Sequence, residues 1–347
     1  MKLFSTRGGA LAAAALIGSL GLSACGNATD DATSDPSASA GEATALTITF
    51  LPKNLGNPYF DTSSAGGKKA VEEFGGTFSE VGPQEGSPDA QVQYINTAAQ
   101  QRTSALVVSA NDPKAICDAL NQARDGGTKV VTFDSDTDPT CRDLFVNQAT
   151  AEGIAKAQVD LVTQAIGDTG EIAILSASAN ATNQNAWIDL MKADLEANHP
   201  DVTLVDVVYG DDDDQTSFDK TAALLQSYPD LKGIVSPTTV GISAAARYLS
   251  TSDKKGEVYL TGLGTPNQMR EFVKDGTVTE FALWNPGDLG YLAAFAAQAL
   301  ADGTITGKEG DSFTAGSLGD YTVGADGVVL LGEPFVFNAD NIDDFDF

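Results

Sequence analysis

Short apolar runs alternate with amphipathic segments from residue 46 to the end of the chain. The first run is LTITFL, residues 46–51, and the segment after it places Ala70, Val71 and Phe74 on one side of a predicted helix. Several later runs are nearly continuous Val, Ile and Leu, which is typical of strands buried on both faces. This pattern predicts a parallel sheet that is covered by helices on both sides.

The strand-and-helix alternation occurs in two sets, and each set predicts five strands. The first comprises LTITFL, TFSEVG, ALVVSA, KVVTFDSD and LFVNQA, and the second comprises EIAILSAS, TLVDVVYG, GIVSP, VYLTGLG and EFALWN. We therefore predict an α/β fold of two doubly wound parallel-sheet lobes joined by a hinge. The tail, VVLLGEPFVFNADNI, predicts a final short strand pair that docks on one lobe.

We expect the chain to cross between the lobes near 147–148, near 285–286 and in the tail. The first lobe then comprises residues 46–147 and about 286–327, and the second comprises residues 148–285 and about 328–347.

The N-terminus has the features of an export signal. Lys2 and Arg7 precede an apolar stretch that is short for a membrane span, and LSAC, residues 22–25, resembles the lipobox of bacterial lipoproteins. Residues 1–24 are thus predicted to be a signal peptide, with Cys25 as the lipidated first residue. An ordinary signal peptide with a chance cysteine is the alternative. Residues 25–45 are small and polar, which predicts a disordered tether on the outer face of the cell membrane.

Composition narrows the class of partner. Asp and Glu total 48 against 20 for Lys and Arg, giving a formal charge of -28. This excess argues against nucleic acid or an anionic membrane surface as a partner, and it favours a neutral or cationic ligand.

The remaining two cysteines, Cys117 and Cys141, are candidates for a disulfide because exported chains retain such bonds. No metal site is expected, since the single histidine, His199, has no cysteine pair at ligand spacing. The acidic run GDDDDQTSFDK, residues 210–220, lacks the glycine and distal glutamate of a calcium-binding loop, so we interpret it as a solvated loop. Neither a nucleotide-binding motif nor a catalytic triad is evident, and no cofactor is expected.

Polar and aromatic residues follow the predicted strands of both lobes. In open α/β sheets, ligands bind beyond the carboxyl ends of the strands, so these residues are expected to share one edge. The candidate ligand-binding residues are Lys53, Asn57, Tyr59, Phe60, Asn111, Asp134, Asp136, Asn183, Gln184, Pro237, Thr238, Thr239, Trp284 and Asn285.

Carboxylates, amides, an ammonium group and aromatic rings together suit a small sugar. Sugar hydroxyls donate to carboxylates and accept from N–H groups, and aromatic rings cover the C–H faces of the ring. Each residue also has a plainer interpretation. Asp134 is alternatively a turn former, Lys53 a solvated side chain, and Tyr59, Phe60 and Trp284 core residues.

Nine motifs resemble the sugar-binding lipoproteins of bacterial ABC importers, which have the type I periplasmic-binding-protein fold. They are LPKNLGNPYF, VVSANDP, TFDSDT, FVNQA, NQNAW, SPTTVGI, GLGTPNQMR, ALWNPGDLGY and the closing FDF. Within that family they are most similar to the rhamnose-binding proteins and to the binding proteins for the signal molecule autoinducer 2 (AI-2). The resemblance covers residues 46–347.

The resemblance also implies roles for individual residues. Lys53 and Asp134 match a ligand-contacting lysine and carboxylate, with Asp136 close behind. Asn183 and Gln184 fall where AI-2 binders have Asp-Gln, and residues 237–239 read Pro-Thr-Thr where those proteins have Pro-Asp-Ala. These two departures weaken the similarity to the AI-2 group, and SPTTVGI and LWNPGDLGY are more similar to the rhamnose group. The two cysteines, by contrast, have counterparts in the AI-2 group.

The implied function is capture of a neutral monosaccharide between the lobes by a monomer, and its delivery to membrane permease subunits without catalysis. Three other functions are alternatives. A transcription regulator would begin with a helix-turn-helix and lack an export signal. An extracellular enzyme needs a nucleophile or a metal set that the sequence does not offer. A sensor that signals to a membrane receptor stays open.

Overall fold

The computed structural model describes residues 45–347. The predicted signal peptide, the lipidation site Cys25 and all but the last residue of the predicted tether lie outside the described residues. None of the helices between residues 45 and 347 is both long enough and apolar enough to span a membrane.

The first part of the chain forms most of one sheet and three helices. Its strands and helices are, in chain order, β1 (Thr47–Leu51), α1 (Pro58–Glu73), β2 (Thr77–Glu80), α2 (Pro88–Gln101), β3 (Ala105–Val108), α3 (Cys117–Asp125), β4 (Lys129–Phe133) and β5 (Leu144–Asn147). The second part comprises α4 (Ala151–Ile166), β6 (Gly170–Ser176), α5 (Thr182–Asn198), β7 (Val202–Tyr209), α6 (Asp214–Ser227), β8 (Leu231–Ser236), α7 (Thr239–Ser250), β9 (Tyr259–Gly262), α8 (Pro266–Lys274) and β10 (Glu280–Leu283). The chain then continues through α9 (Pro286–Ala301), β11 (Ser312–Thr314), β12 (Asp320–Thr322), β13 (Val328–Leu330) and β14 (Phe335–Asn338).

Two parallel sheets confirm the predicted α/β class. The first sheet has the strand order β13-β5-β4-β3-β1-β2, and the second has the order β7-β6-β8-β9. β10 pairs antiparallel with β14 and meets the second sheet through a bridge between Leu263 and Ala282. We call the two halves, built on these sheets, the first and second lobes.

The prediction that the tail forms a strand pair is wrong. β13 joins the first sheet, parallel to β5, whereas β14 pairs with β10 in the second lobe. Leu331 N donates to Asn147 O and Gly332 N to Gln148 O, so the returning chain runs beside the first crossing. The lobe limit near residue 327 stays a prediction, although the first sheet itself extends to Leu330.

Helix α1 begins five residues before the predicted segment SSAGGKKAVEEFG, at Pro58. The Asn57 side chain accepts a hydrogen bond from Tyr59 N, and Pro58 needs no backbone partner at the first helical position. This early start places Tyr59 and Phe60 on the first turn of the helix, at the edge where β1 ends.

α1 and α9 pack backbone against backbone in the first lobe. A Cβ atom on Gly66 would lie 1.9 Å from Gly287 O, and one on Gly290 would lie 1.8 Å from Ser63 O. Only glycine permits this approach. Since α9 begins two residues after Trp284, the close packing fixes where the chain re-enters the first lobe.

Cys117 and Cys141 form a disulfide, with their Cα atoms 5.2 Å apart. It ties the start of α3 to the short 3-10 helix between β4 and β5. The connection that it holds contains Asp134 and Asp136.

Replacing both cysteines with serine should lower the free energy of unfolding by roughly 3.5 kcal/mol, because the closed loop no longer restricts the unfolded chain. Urea denaturation of the double variant and of the oxidised wild type measures this difference. Chemically reduced wild type is the matched control and should resemble the variant. An unchanged urea midpoint would contradict a stabilising role for the disulfide.

Candidate functional site

A cavity lies between the two lobes at the carboxyl ends of their strands. Its lining residues are Lys53, Asn57, Tyr59, Phe60, Asp134, Asn183, Gln184, Trp187, Asp212, Pro237, Thr238, Thr239, Leu263, Leu283 and Trp284. The empty space is about 380 Å³ with its mouth included. This volume is near the lower end for ligand pockets and suits a single small ring.

Asp134 follows β4 directly and has a backbone conformation that is uncommon for its residue type. Its φ is 61°, and Ser135 N donates to Phe133 O across it at 2.6 Å. A hydrogen bond that spans one residue with positive φ defines a tight γ-turn, which is rare and strained. The turn reverses the chain at once and directs the Asp134 side chain into the cavity.

Three side chains surround the Asp134 carboxylate. Ser109 Oγ donates to Oδ2 at 2.7 Å, Tyr59 OH donates to Oδ1 at 3.1 Å, and Lys53 Nζ lies 3.8 Å from Oδ2. The Asp134 and Lys53 side chains are only 7% and 8% exposed. A buried carboxylate needs such partners, because it has lost most of its hydration.

A hydrogen-bonded chain links the Asp134 carboxylate to the second lobe through aromatic residues. Trp284 Nε1 donates to Tyr59 OH at 2.9 Å, and Tyr59 OH donates to Asp134. Burial, followed by the nearby Asp134 charge, raises the pKa of Tyr59 well above its ordinary value, so the phenol keeps its proton. Trp187 meets Trp284 at a ring-centroid distance of 6.1 Å and extends this aromatic wall.

Two more contacts join the lobes directly. Asn183 Oδ1 accepts a hydrogen bond from Lys53 Nζ at 3.3 Å, and Asn183 Nδ2 donates to Asp134 O at 3.4 Å. The neighbouring Gln184 is fixed by Ser176 Oγ and Ala177 N, which both donate to its Oε1 at 2.8 Å. Its amide nitrogen is therefore the polar group that remains for a ligand.

Asp212 reaches the cavity from the loop between β7 and α6. Its Oδ1 accepts a hydrogen bond from Thr238 Oγ1, at the start of α7. Burial raises the pKa of the Asp212 carboxyl above its ordinary value, while the Thr238 hydrogen bond and Lys53 act in the opposite direction.

Comparison with known proteins gives a family assignment. Residues 48–305 match the family described as periplasmic binding protein domain. The chain belongs to the periplasmic binding protein family. Proteins of this family bind substrates for transporters, so the resemblance found in the sequence is confirmed.

Each of three solved proteins overlays on 87% of this chain. A sugar ABC transporter protein from Actinomyces odontolyticus is 55% identical, with 98% of its chain covered and a TM-score of 0.72. An ABC transporter solute-binding protein from Clostridium phytofermentas with bound L-rhamnose is 39% identical, with 98% covered and a TM-score of 0.84. LsrB from Clostridium saccharobutylicum in complex with AI-2 is 27% identical, with 100% covered and a TM-score of 0.82.

In this periplasmic binding protein, eleven of the fourteen predicted site residues line the cavity. The other three lie nearby with different partners. Asn111 Nδ2 donates to Lys53 O at 2.9 Å, so it supports the backbone that carries the lysine. Asn285 caps α9 by accepting hydrogen bonds from Gly287 N and Asp288 N.

Asp136 is the third of these residues, and it pairs with Arg142 instead of facing the cavity. Arg142 Nε donates to Oδ1 at 2.7 Å and Nη2 donates to Oδ2 at 2.8 Å. Arg142 Nη1 also donates to Asp326 O, which ties the β4–β5 connection to the segment before β13.

Four lining residues of the periplasmic binding protein were absent from the prediction: Trp187, Asp212, Leu263 and Leu283. The prediction of a solvated acidic loop at residues 210–220 is wrong for Asp212, although Asp213 caps α6 and Asp214 pairs with Arg247 at the surface. Trp187 lies one helical turn after Asn183 on α5. Its distance of one turn from a predicted site residue was the signal in the sequence that could have identified it.

Within residues 45–347, no group of three or more His, Cys, Asp or Glu side chains is arranged to hold a metal ion.

Tyr59→Phe should lower the free energy of unfolding by about 1–3 kcal/mol, because Trp284 Nε1 loses its acceptor inside the protein and Asp134 loses a donor. Urea denaturation measures the change. Tyr94→Phe is the control, since this tyrosine is partly buried and its hydroxyl forms no hydrogen bond with any described residue. Equal effects of the two substitutions would contradict the role of the Trp284–Tyr59–Asp134 chain.

Asp212→Asn should stabilise the ligand-free protein at neutral pH. The folded pKa of Asp212 is raised above its ordinary value of 3.8, so its ionised form costs stability. This cost is absent below the unfolded pKa, grows as the pH rises, and is complete above the folded pKa. The gain should therefore disappear in acid. Thermal unfolding across this pH range tests it, with Asp211→Asn as the control, and a gain that is independent of pH would contradict it.

Proposed function

We propose that the chain is an extracytoplasmic solute-binding lipoprotein of an ABC importer, anchored through Cys25, which captures a neutral monosaccharide in the interlobe cavity. L-rhamnose is the first candidate ligand. The protein acts as a monomer and delivers the sugar to membrane permease subunits. The observation that carries this proposal is the interlobe cavity itself, in which Asp134 and Lys53 of one lobe face Gln184 of the other between aromatic walls.

The chemistry of the cavity fits a sugar better than a purely apolar or an anionic ligand. Carboxylate oxygens of Asp134 accept hydrogen bonds from hydroxyls, and the Lys53 ammonium and the Gln184 amide donate to them. Hydrogen bonds to charged groups contribute about 1.5–3 kcal/mol each. An affinity near 1 μM needs about 8.2 kcal/mol, which a few such bonds and contacts with aromatic rings supply net of ordering costs.

Ligand binding is proposed to favour a closed arrangement of the lobes. The described conformation already has Lys53–Asn183 and Tyr59–Trp284 hydrogen bonds across the cleft. A ligand that contacts both lobes stabilises the closed arrangement by the difference between its binding free energies to the closed and open arrangements. The permease would recognise the closed form.

AI-2 is the second candidate ligand. The support for it is the TM-score of 0.82 to LsrB in complex with AI-2, at only 27% identity. The higher identity of 39% to the L-rhamnose-bound protein ranks rhamnose above it.

Isothermal titration calorimetry with a ligand panel tests the proposal. The panel contains L-rhamnose, other deoxyhexoses, pentoses, polyols and AI-2. L-rhamnose should bind with micromolar or tighter affinity. Binding of AI-2 without binding of L-rhamnose would reverse the ranking, and the absence of binding by every member would contradict sugar capture.

Asp134→Asn and Asp136→Asn should separate binding from stability. Asp134→Asn tolerates the positive φ but removes the charge that faces the cavity, so sugar affinity should fall about 100-fold or more. Asp136→Asn breaks the Arg142 pair, which should lower the free energy of unfolding by about 2–3 kcal/mol and leave affinity nearly unchanged. Calorimetry and urea denaturation of both variants check this, and equal affinity losses would assign Asp136 to the binding site.

A further inference from the structure

Asp212 is held in the cavity by a loop with an uncommon backbone. Asp211 and Asp212 have φ values of 55° and 49°, two consecutive non-glycine residues in the left-handed region. Asp211 N donates to Ala177 O, and Asp213 N donates to Gly210 O, so the turn is fixed to the end of β6. The strained turn directs one carboxylate into the cleft while its neighbours Asp211 and Asp213 stay exposed.

Only one oxygen of the Asp212 carboxylate has a partner among the described residues. Thr238 Oγ1 donates to Oδ1, and no side chain or backbone N–H between residues 45 and 347 donates to Oδ2. A partly buried carboxylate normally gathers several donors, as Asp134 does on the opposite lobe. Because Asp212 lines the cavity, this oxygen is available to accept a hydrogen bond from a ligand hydroxyl.

Ionisation of the Asp212 side chain costs the folded protein free energy. Burial raises the pKa of Asp212, and the Asp134 and Asp211 charges act in the same direction, while Lys53 and Thr238 offset part of the effect. An asparagine at this position would avoid the charge and would adopt the same backbone conformation more readily. A carboxyl group that is costly to ionise, held on a strained turn in a cleft, is typical of a functional side chain.

We propose that Asp212 is a second ligand-binding carboxylate, which acts with Asp134 from the opposite lobe to select uncharged polyhydroxylated ligands over anionic sugars. This inference rests on the proposed function. One hydroxyl of a neutral sugar donates a hydrogen bond to Asp134, and another donates to the free oxygen of Asp212. The sugar thereby connects the two lobes.

The same pair of carboxylates disfavours an anionic ligand. Asp134 and Asp212 bring two carboxylates to the cavity, and Lys53 is the only lysine or arginine among its lining residues. A uronate or a phosphorylated sugar would add a further negative charge where little water can screen it. Thr238 has a positioning role, because its hydrogen bond fixes which oxygen of Asp212 is left for the ligand.

Calorimetric titration of L-rhamnose and of D-galacturonate into the wild type, Asp212→Asn and Asp211→Asn tests the proposal. Asp211→Asn is a matched control, because it makes the same charge change at the adjacent residue, also at positive φ, on an exposed side chain. L-rhamnose affinity should fall about 10- to 100-fold in Asp212→Asn and stay within about twofold in Asp211→Asn. The preference for L-rhamnose over D-galacturonate should narrow only in Asp212→Asn.

The outcomes distinguish this inference from the proposed function. If the wild type binds L-rhamnose and Asp212→Asn binds it equally well, the role of Asp212 is overturned and sugar capture stands. Equal losses of L-rhamnose affinity in Asp212→Asn and Asp211→Asn would mean that the loss comes from the negative charge of the whole loop. This outcome would also overturn the role of Asp212. If no neutral sugar binds to the wild type, the proposed function fails, and this inference fails with it. A thermal midpoint of Asp212→Asn at or above that of the wild type verifies that the variant is folded.

Discussion

A carboxylate removed from water loses several kcal/mol of hydration unless neighbouring groups replace it, and Asp134 imposes this condition on the first lobe. Its partners come from three separate places in the chain: Lys53 after β1, Tyr59 on the first turn of α1, and Ser109 after β3. Parallel strands bring these places together because all their carboxyl ends lie at one edge. The strained turn at Asp134 then directs the charge toward the cleft and away from the sheet.

The same cluster connects the two lobes. Tyr59 is both the donor to Asp134 and the acceptor for Trp284, and Lys53 lies between Asp134 and Asn183. The side chains that compensate the buried Asp134 charge in the first lobe are therefore also the ones that form hydrogen bonds with the second lobe. Under the proposed function, a hydroxylated ligand would exchange its hydrogen bonds with water for bonds to both lobes, and this would favour the closed arrangement over an open one.

The fold was predictable because apolar runs and amphipathic segments alternate with clear periods, and most of the site followed from reading strand ends. The failures have physical reasons. Asp134 and Asp136 occupy one short motif, and sequence does not reveal that Arg142 captures the second carboxylate. Asp212 is one of four consecutive aspartates, and only the tertiary turn selects it for the cavity. The tail strands were assigned to each other because their partners, β5 and β10, are distant in sequence.

The most direct test of the central claim is a crystal structure of the chain with L-rhamnose bound. The account predicts the sugar ring in the interlobe cavity, with hydroxyl groups within hydrogen-bond distance of Asp134 from the first lobe and of Gln184 from the second. A sugar bound to the surface of one lobe, with the Asp134 carboxylate contacting only protein atoms, would contradict it.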